Sequence, residues 1–246
     1  MWELYDTLID GVTSEETIEE AVVGTIWTYV KTSNKFGIAM TTQTTQVPSK
    51  LPLWMEKYMG ISLKQAVSLV KSWDFVEASV GMAALNAWYN TSELMMKYHT
   101  REPDHQYCTF GMNLKNKKVG MVGHLRANGN PFIDAKEVLI LERNPQDGDY
   151  PDSACEYLLP DCDVVIITGN AFTNKTMPRL LQICQNSEVV LTGPSVPMAP
   201  NLMNFNISRL AGLIITNTDR MKEFSISGKH GPPYSFGERF CLNSSR

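Results

Sequence analysis

Apolar and polar positions follow two different rhythms along this chain. In WELYDTLIDG, Leu4, Tyr5, Leu8 and Ile9 fall on one helical face, and Gly11 ends the pattern. Residues 22–30 (VVGTIWTYV) and 36–42 (FGIAMTT) are rich in β-branched and aromatic side chains, with TSNK between them. That pattern predicts an antiparallel hairpin. Helices are expected next. Ser62 and Gln65 have the spacing of a capping box, and Leu63, Ala66, Val67 and Val70 form the apolar stripe behind it. A second helix is expected over 78–90 (ASVGMAALNAWYN). The first half therefore reads as a small α+β unit, hairpin first and helices after.

The second half repeats short apolar runs: VGMVG 119–123, EVLILE 137–142, DVVIITG 163–169, EVVLTG 188–193 and GLIITN 212–217. Helical candidates lie between most of them. TMPRLLQICQ 176–185 is the clearest, with Pro178 tolerable in a first turn. Near-continuous Val/Ile/Leu runs separated by helices predict a parallel sheet covered on both faces. The fold class is therefore α/β: a small α+β domain over 1–112, then a Rossmann-like, doubly wound domain over 113–246. The first crossover, 124–136, is short and contains Gly129 and Pro131, so a full helix is not expected there.

Ligands of such sheets bind beyond the carboxyl ends of the strands, where the strand order reverses. This rule picks out Gly123-His124, then Glu142-Arg143-Asn144, then Thr168-Gly169-Asn170 leading to Asn174 and Thr176, then Thr192-Gly193-Pro194-Ser195. A histidine titrates near neutrality, so a residue such as His124 can act as acid, base or metal ligand, or as a hydrogen-bonded structural residue. Glu142 can accept from a ribose diol, transfer protons or pair with Arg143. Asn174 and Thr176 can cap a helix or help hold an anion there. No G-x-G-x-x-G fingerprint is present, and Ser195 lies outside a G-x-S-x-G elbow. In LTGPSVPMAP, 191–200, three prolines predict a rigid loop, read as a wall of the site with Ser195 offering hydrogen bonds.

Composition narrows the partners. The chain has 246 residues, is 43% hydrophobic and 20% charged, and carries a net charge of −4 without a basic stripe. Nucleic acid is not expected as a partner. No run is long enough for a membrane span, and the acidic start is not a signal peptide, so a cytoplasmic location is expected. The five scattered cysteines, Cys108, Cys155, Cys162, Cys184 and Cys241, are read as reduced thiols. Four N-x-S/T triplets, Asn174-Lys175-Thr176 among them, are read as chance. His99 and His105 flank Glu102 and Asp104, a metal site in composition but not in spacing. His230 is assigned to a surface loop.

Five stretches, SWDFVEASVGMAALNAWYN (72–90), VGMVGHL (119–125), VLILERNPQDGD (138–149), DVVIITGNAFTNKTMPRLL (163–181) and LTGPSVPMAP (191–200), together resemble the heavy-metal-chelation family. The likeness covers nearly the whole chain. It implies an enolase-N-terminal-like domain, then a Rossmann-like domain, with a site in the cleft between them. It implies condensation or hydrolysis in flavin, pterin or siderophore-like chelator metabolism linked to heavy metals. It also adds Ser79 and Asn86 to the candidate ligand-binding residues, which become Ser79, Asn86, Gly123, Asn144, Thr168, Gly169, Asn174, Thr176, Gly193 and Ser195. Ser79 and Asn86 are seven apart and share a helical face. The same spacing also suits a tightly packed interdomain helix.

His124 and Glu142 are the catalytic candidates. The expected partner is a small anionic or heteroaromatic molecule, or a metal chelate, with homo-oligomer formation left open. The competing readings are a non-catalytic metal-chelate binder and an S-adenosylmethionine-dependent methyltransferase. No cofactor and no direct metal ligand is assigned.

Overall fold

The computed structural model describes residues 2–42, 51–98, 112–125 and 131–244. The chain opens with helix α1 (Glu3–Asp10), whose Leu4, Tyr5 and Leu8 are buried. Strands β1 (Glu20–Val23), β2 (Trp27–Lys31), β3 (Phe36–Met40) and β4 (Leu53–Trp54) follow. They form an antiparallel sheet in the order β3-β2-β1-β4. The apolar run 22–30 is thus two strands rather than one. The Gly24 amide donates to the Trp27 carbonyl across the turn that splits it. A Cβ at Gly24 would lie 2.2 Å from the Ser225 carbonyl, so the turn also admits a distant segment.

Helix α2 (Leu63–Ala66) begins at the expected capping box, with both reciprocal Ser62–Gln65 bonds formed. Helix α3 (Phe75–Tyr89) is capped by Asp74 and is buried on almost every side. Its small residues explain how. A Cβ at Gly81 would lie 2.1 Å from the Val70 amide nitrogen, and a Cβ at Gly37 of β3 would lie 2.1 Å from that of Ala87. α3 is thus clasped between β3 and the 3-10 turn Val67–Lys71. Helix α4 (Ser92–Tyr98) ends this half.

The second half holds β5 (Lys118–Val122), β6 (Glu137–Glu142), β7 (Tyr150–Pro151), α5 (Cys155–Leu158), β8 (Val164–Thr168), α6 (Asn170–Thr173), α7 (Met177–Ile183), β9 (Glu188–Thr192), β10 (Ile207–Ile215), α8 (Thr218–Ile226) and β11 (Gly237–Asn243). Their sheet order is β11-β10-β9-β8-β5-β6-β7, with β5 through β10 parallel and β11 antiparallel on the edge. The chain winds outward from β5 to β7, then returns to the other side of β5 and winds outward again. This is the doubly wound order, and its switch point lies between β5 and β8. Among the described residues of 123–136 there is a turn and no helix.

The two halves share one core. A single cluster of buried side chains runs from Leu4, Tyr5 and Leu8 through α3 to Val165, Leu191, Val196 and Leu242. A smaller one joins Tyr29 and Ile38 to Leu213, Met221 and Phe236.

Candidate functional site

The switch point brings together the ends of β5, β6 and β8. Gly123 follows β5 at φ +97°, and a Cβ there would lie 3.1 Å from the Thr168 side chain, so the β5 and β8 ends face each other. A non-glycine residue would be strained in that left-handed region. His124 is next. Its backbone N–H donates to Glu142 Oε2 at 2.8 Å, and its Nδ1 is 2.8 Å from Asp149 Oδ2. The same Asp149 oxygen accepts from the Gln146 amide at 2.9 Å, and the Asp149 side chain is only 2% exposed. Burial pushes its carboxyl upward, but the Gln146 amide and His124 outweigh that and hold it below the usual carboxylate range.

An ionised carboxylate only accepts hydrogen bonds, so the geometry fixes the histidine tautomer. Nδ1 carries the hydrogen, so in the neutral ring the lone pair is on Nε2. Nε2 makes no hydrogen bond to the described residues, and the side chain is 27% exposed.

Glu142 does a different job. Its Oε1 accepts from the Arg143 amide at 2.7 Å and the Asn144 amide at 3.2 Å, and its Oε2 accepts from His124. Oε2 thus ties the end of β6 to the end of β5, and Oε1 closes the turn after β6. Asn144 itself is exposed.

The loop after β8 carries the next group. Thr168 Oγ1 accepts from the Asn170 amide at 3.4 Å, and Asn170 Oδ1 accepts from the Thr42 hydroxyl at 2.8 Å. Gly169 is where the proline loop crosses, since a Cβ there would lie 2.6 Å from the Val196 nitrogen. Asn174 Oδ1 accepts from both the amide (3.1 Å) and the hydroxyl (2.7 Å) of Thr176. The two therefore bracket Lys175, which is held at φ +68°. That conformation costs a non-glycine residue roughly 1–2 kcal/mol. The Lys175 Nζ donates to the Thr173 carbonyl at 2.8 Å and lies 5.4 Å from the centre of the Phe75 ring.

Ser79, Asn86 and Ser195 are buried side chains, and Asn86 and Ser195 join the two halves. Ser79 Oγ accepts from the Thr42 amide and donates to the Phe75 carbonyl. Asn86 Nδ2 donates to the Ile38 carbonyl at 2.7 Å and the Pro194 carbonyl at 3.4 Å. Ser195 Oγ accepts from the Met40 amide at 2.8 Å. The proline loop is therefore packed into the molecule, with Val196, Met198 and Ala199 in the core, rather than lying open as a wall. Gly193, at φ +114° with open space where a Cβ would be, is its approachable point.

Sequence reasoning passed over three residues. Asp149 sits in the quoted DGD stretch, but nothing in its spacing pairs it with His124. Lys175 was hidden inside a triplet read as chance. Asn90 binds the Val196 carbonyl (2.9 Å), the Leu213 carbonyl (3.2 Å) and the Met198 amide (2.9 Å), clamping α3 to the opposite sheet.

The thiols need one correction. Cys155, Cys162 and Cys184 are free and buried, but Cys241 is disulfide-bonded, against the reading of five reduced thiols. Separation along the sequence does not limit pairing in space. Burial pushes the Cys155 and Cys162 thiols up to about 11 and that of Cys184 to about 12. Among the described residues no group of three His, Cys, Asp or Glu side chains is disposed to hold a metal ion. The acidic segment with His99 and His105 lies outside the described residues, and His230 is exposed. Among the described residues no helix is long and apolar enough to cross a membrane.

Fold and site together define a two-part α/β protein. A small antiparallel unit is packed on a doubly wound sheet whose switch point carries a histidine–aspartate pair. Sequence profiles described as "Putative heavy-metal chelation" match residues 5–89 and, for the DUF364 profile, residues 109–236. The chain belongs to this putative heavy-metal-chelation family. A crystal structure of a DUF364-family protein with unknown function from Desulfitobacterium hafniense is 31% identical, superposes with a TM-score of 0.85, and is matched over 99% of this chain and 98% of that one. A second, from Pyrococcus horikoshii, is 18% identical with a TM-score of 0.70 over 98% of this chain and 99% of that one, a likeness of fold. An uncharacterized protein of Methanocaldococcus jannaschii is 26% identical over 166 residues, which are 65% of this chain and 62% of that protein. The match thus spans a little under two thirds of that relative's length.

Proposed function

We propose that this protein binds a small polar organic molecule at the β5/β8 switch point and moves a proton on it through His124. The carrying observation is the His124–Asp149 pair at 2.8 Å, at the position where doubly wound sheets hold ligands. Asp149 holds the ring and its tautomer, and Nε2 is the working atom. A base so oriented can take a proton from a ligand and return it, as condensation and hydrolysis both require. Glu142 is assigned to positioning, because its oxygens are already engaged by backbone N–H groups. Thr168, Asn170 and the backbone at Gly123 and Gly193 supply polar contacts around the ligand. Asn86 and Ser195 keep the two halves in register behind it.

The link to heavy metals runs through the ligand in this reading. The buried thiols, with their raised pKa values, favour recognition of an organic chelator by oxygen and nitrogen groups over capture of a bare ion by thiolate. Native mass spectrometry with elemental analysis, on protein mixed with metal-free and metal-loaded catecholate and pterin probes, tests this. A bound organic mass in the wild type, weakened tenfold or more in His124→Asn with the melting temperature unchanged, is expected. Binding that survives both His124→Asn and Thr168→Val at full strength would overturn the assignment. A metal retained without any organic mass would also overturn it.

A further inference from the structure

The switch point lies at the carboxyl ends of the parallel strands, and a second recess opens at their amino ends, where β9 and β10 begin and β11 stops. Its volume is about 510 Å³, inside the range of about 300–1,000 Å³ usual for small-molecule sites. Most such sites are lined by apolar side chains. Among the described residues that line this one, none is aliphatic or aromatic. The amides of Gln185, Asn186, Asn206 and Asn243 stand around it, with hydroxyls from Ser208 and Ser244. Glu188 and Arg209 supply its two charges, which lie 3.5 Å apart and cancel.

The backbone is bent to make this surface. β10 pairs with β9 through Ile207–Val189 and then Arg209–Val190, so Ser208 is an extra residue without a β9 partner. Such a bulge turns side chains away from the regular pleat. The Ser208 carbonyl accepts from the Ser244 amide at 2.9 Å, which holds the chain beyond β11 against the bulge. Arg209 and Asn243 are cross-strand partners and share one face of the sheet. Asn206 takes φ +61°, and its Nδ2 donates to the Gln185 carbonyl at 3.1 Å, which joins two walls of the cleft. The side chains of Gln185, Asn186, Ser208 and Ser244 make no hydrogen bond to the described residues.

We propose that this cleft binds a neutral, hydroxyl-rich molecule, a sugar or polyol. An amide or hydroxyl side chain can both donate and accept, as every sugar hydroxyl can. The amides and serines therefore complement a ring of hydroxyls whichever way each one is turned. The Glu188–Arg209 pair offers an acceptor and a donor side by side, as a vicinal diol requires. An anion would meet Arg209 only beside Glu188, and a cation would meet the reverse. An apolar molecule would find no wall to pack on. The cleft is separate from the switch point and does not depend on the role of His124.

The test is a nitrogen-15 NMR titration of the full-length protein with glucose, trehalose and myo-inositol at millimolar concentrations. At least one of these probes is expected to give saturable shifts confined to the amides of Asn186, Asn206, Ser208 and Asn243. Replacing Gln185 and Asn186 together by alanine should weaken that binding at least fivefold. The melting temperature should not change, because these exposed side chains hold nothing in the fold. His124→Asn should leave the binding at full strength. Shifts that grow without saturating with all three probes, or that spread evenly over the surface, are co-solvent effects and would overturn the proposal. Glucose 6-phosphate binding tenfold more tightly than glucose would overturn the neutral class. Triglycine shifting these amides where no sugar does would also overturn it, because the cleft would then be a peptide site.

Discussion

Replacing Asn90 with alanine tests how the two halves are held together. Asn90 ends α3, is 5% exposed, and serves three backbone groups more than 100 residues away. Its register with the sheet explains why. The β9–β10 pairing stops at Ala211–Thr192, so the Leu213 carbonyl lies beyond the last pairing with β9. The Asn90 amide takes that place. The same side chain closes the proline loop by receiving the Met198 amide and donating to Val196. Alanine removes all three bonds and leaves two carbonyls and one N–H in a buried place. Each unmade bond costs about 1–3 kcal/mol, less where water enters. We expect a total of about 3–5 kcal/mol. For a chain of this size that lowers the melting temperature by about 6–20 °C. Thermal unfolding by circular dichroism reads the total. Hydrogen exchange should show loss of protection at the Met198 amide before the rest of the sheet. An alanine variant melting within 2 °C of wild type, with Met198 still protected, would refute the clamp.

Four further outcomes follow from the geometry. In Asp149→Asn, nitrogen-15 spectra should show His124 losing its single-tautomer signature, while the wild type keeps the hydrogen on Nδ1. Glu77 is held down to about 2, first by Lys57, then by Tyr58 and Ser72, against its burial. A depressed carboxylate contributes stability above its unfolded pKa near 4.3 and loses it as pH falls toward 2. Glu77→Gln should therefore cost about 1–2 kcal/mol at pH 7, after solvent screening, and little at pH 2, as urea melts at the two pH values will show. Cys155, Cys162 and Cys184 should resist iodoacetamide at pH 8 in the folded protein and react promptly in denaturant, as alkylation followed by intact-mass measurement would reveal. Gly37→Ala would drive a methyl group into the α3 backbone, and the loss of several kcal/mol should appear as a collapse of the soluble yield at 37 °C.

Much of the fold is legible one segment at a time. The Leu4-Tyr5-Leu8 spacing, the Ser62–Gln65 box and the five Val/Ile/Leu runs each describe a local event. A helix face, a cap and a buried parallel strand are set by neighbours within a few residues. Those runs also mark the strand ends, and so put Gly123, His124, Thr168 and Gly169 at one edge of the sheet. Short or edge elements escaped that logic. β7 has two residues, and β11 pairs on one side only, so neither needs a strong apolar signature. The turn inside 22–30 was hidden because Gly24 is as much a packing residue as a turn residue.

The partners of the polar groups belong to tertiary structure alone. His124 and Asp149 are 25 residues apart, Ser195 and Met40 are 155 apart, and Asn90 reaches across 123 residues to Leu213. Periodicity reports which face of an element is dry, because burial acts on every residue of that face. It is silent about which buried amide meets which carbonyl, since such a bond is one contact set by the register of two distant elements. Ser79, Asn86 and Ser195 are buried by the packing around α3, which brings the two hydroxyls and the Asn86 Nδ2 group against backbone. The sequence alone determined a small α+β unit, a doubly wound sheet and the polar residues that fall at its strand ends. Only the tertiary structure decided that Asp149 orients His124, that Glu142 is bound up by backbone amides, and that Lys175 stands without a counter-charge among the described residues. Each of those depends on a distance between chain segments that no local pattern encodes.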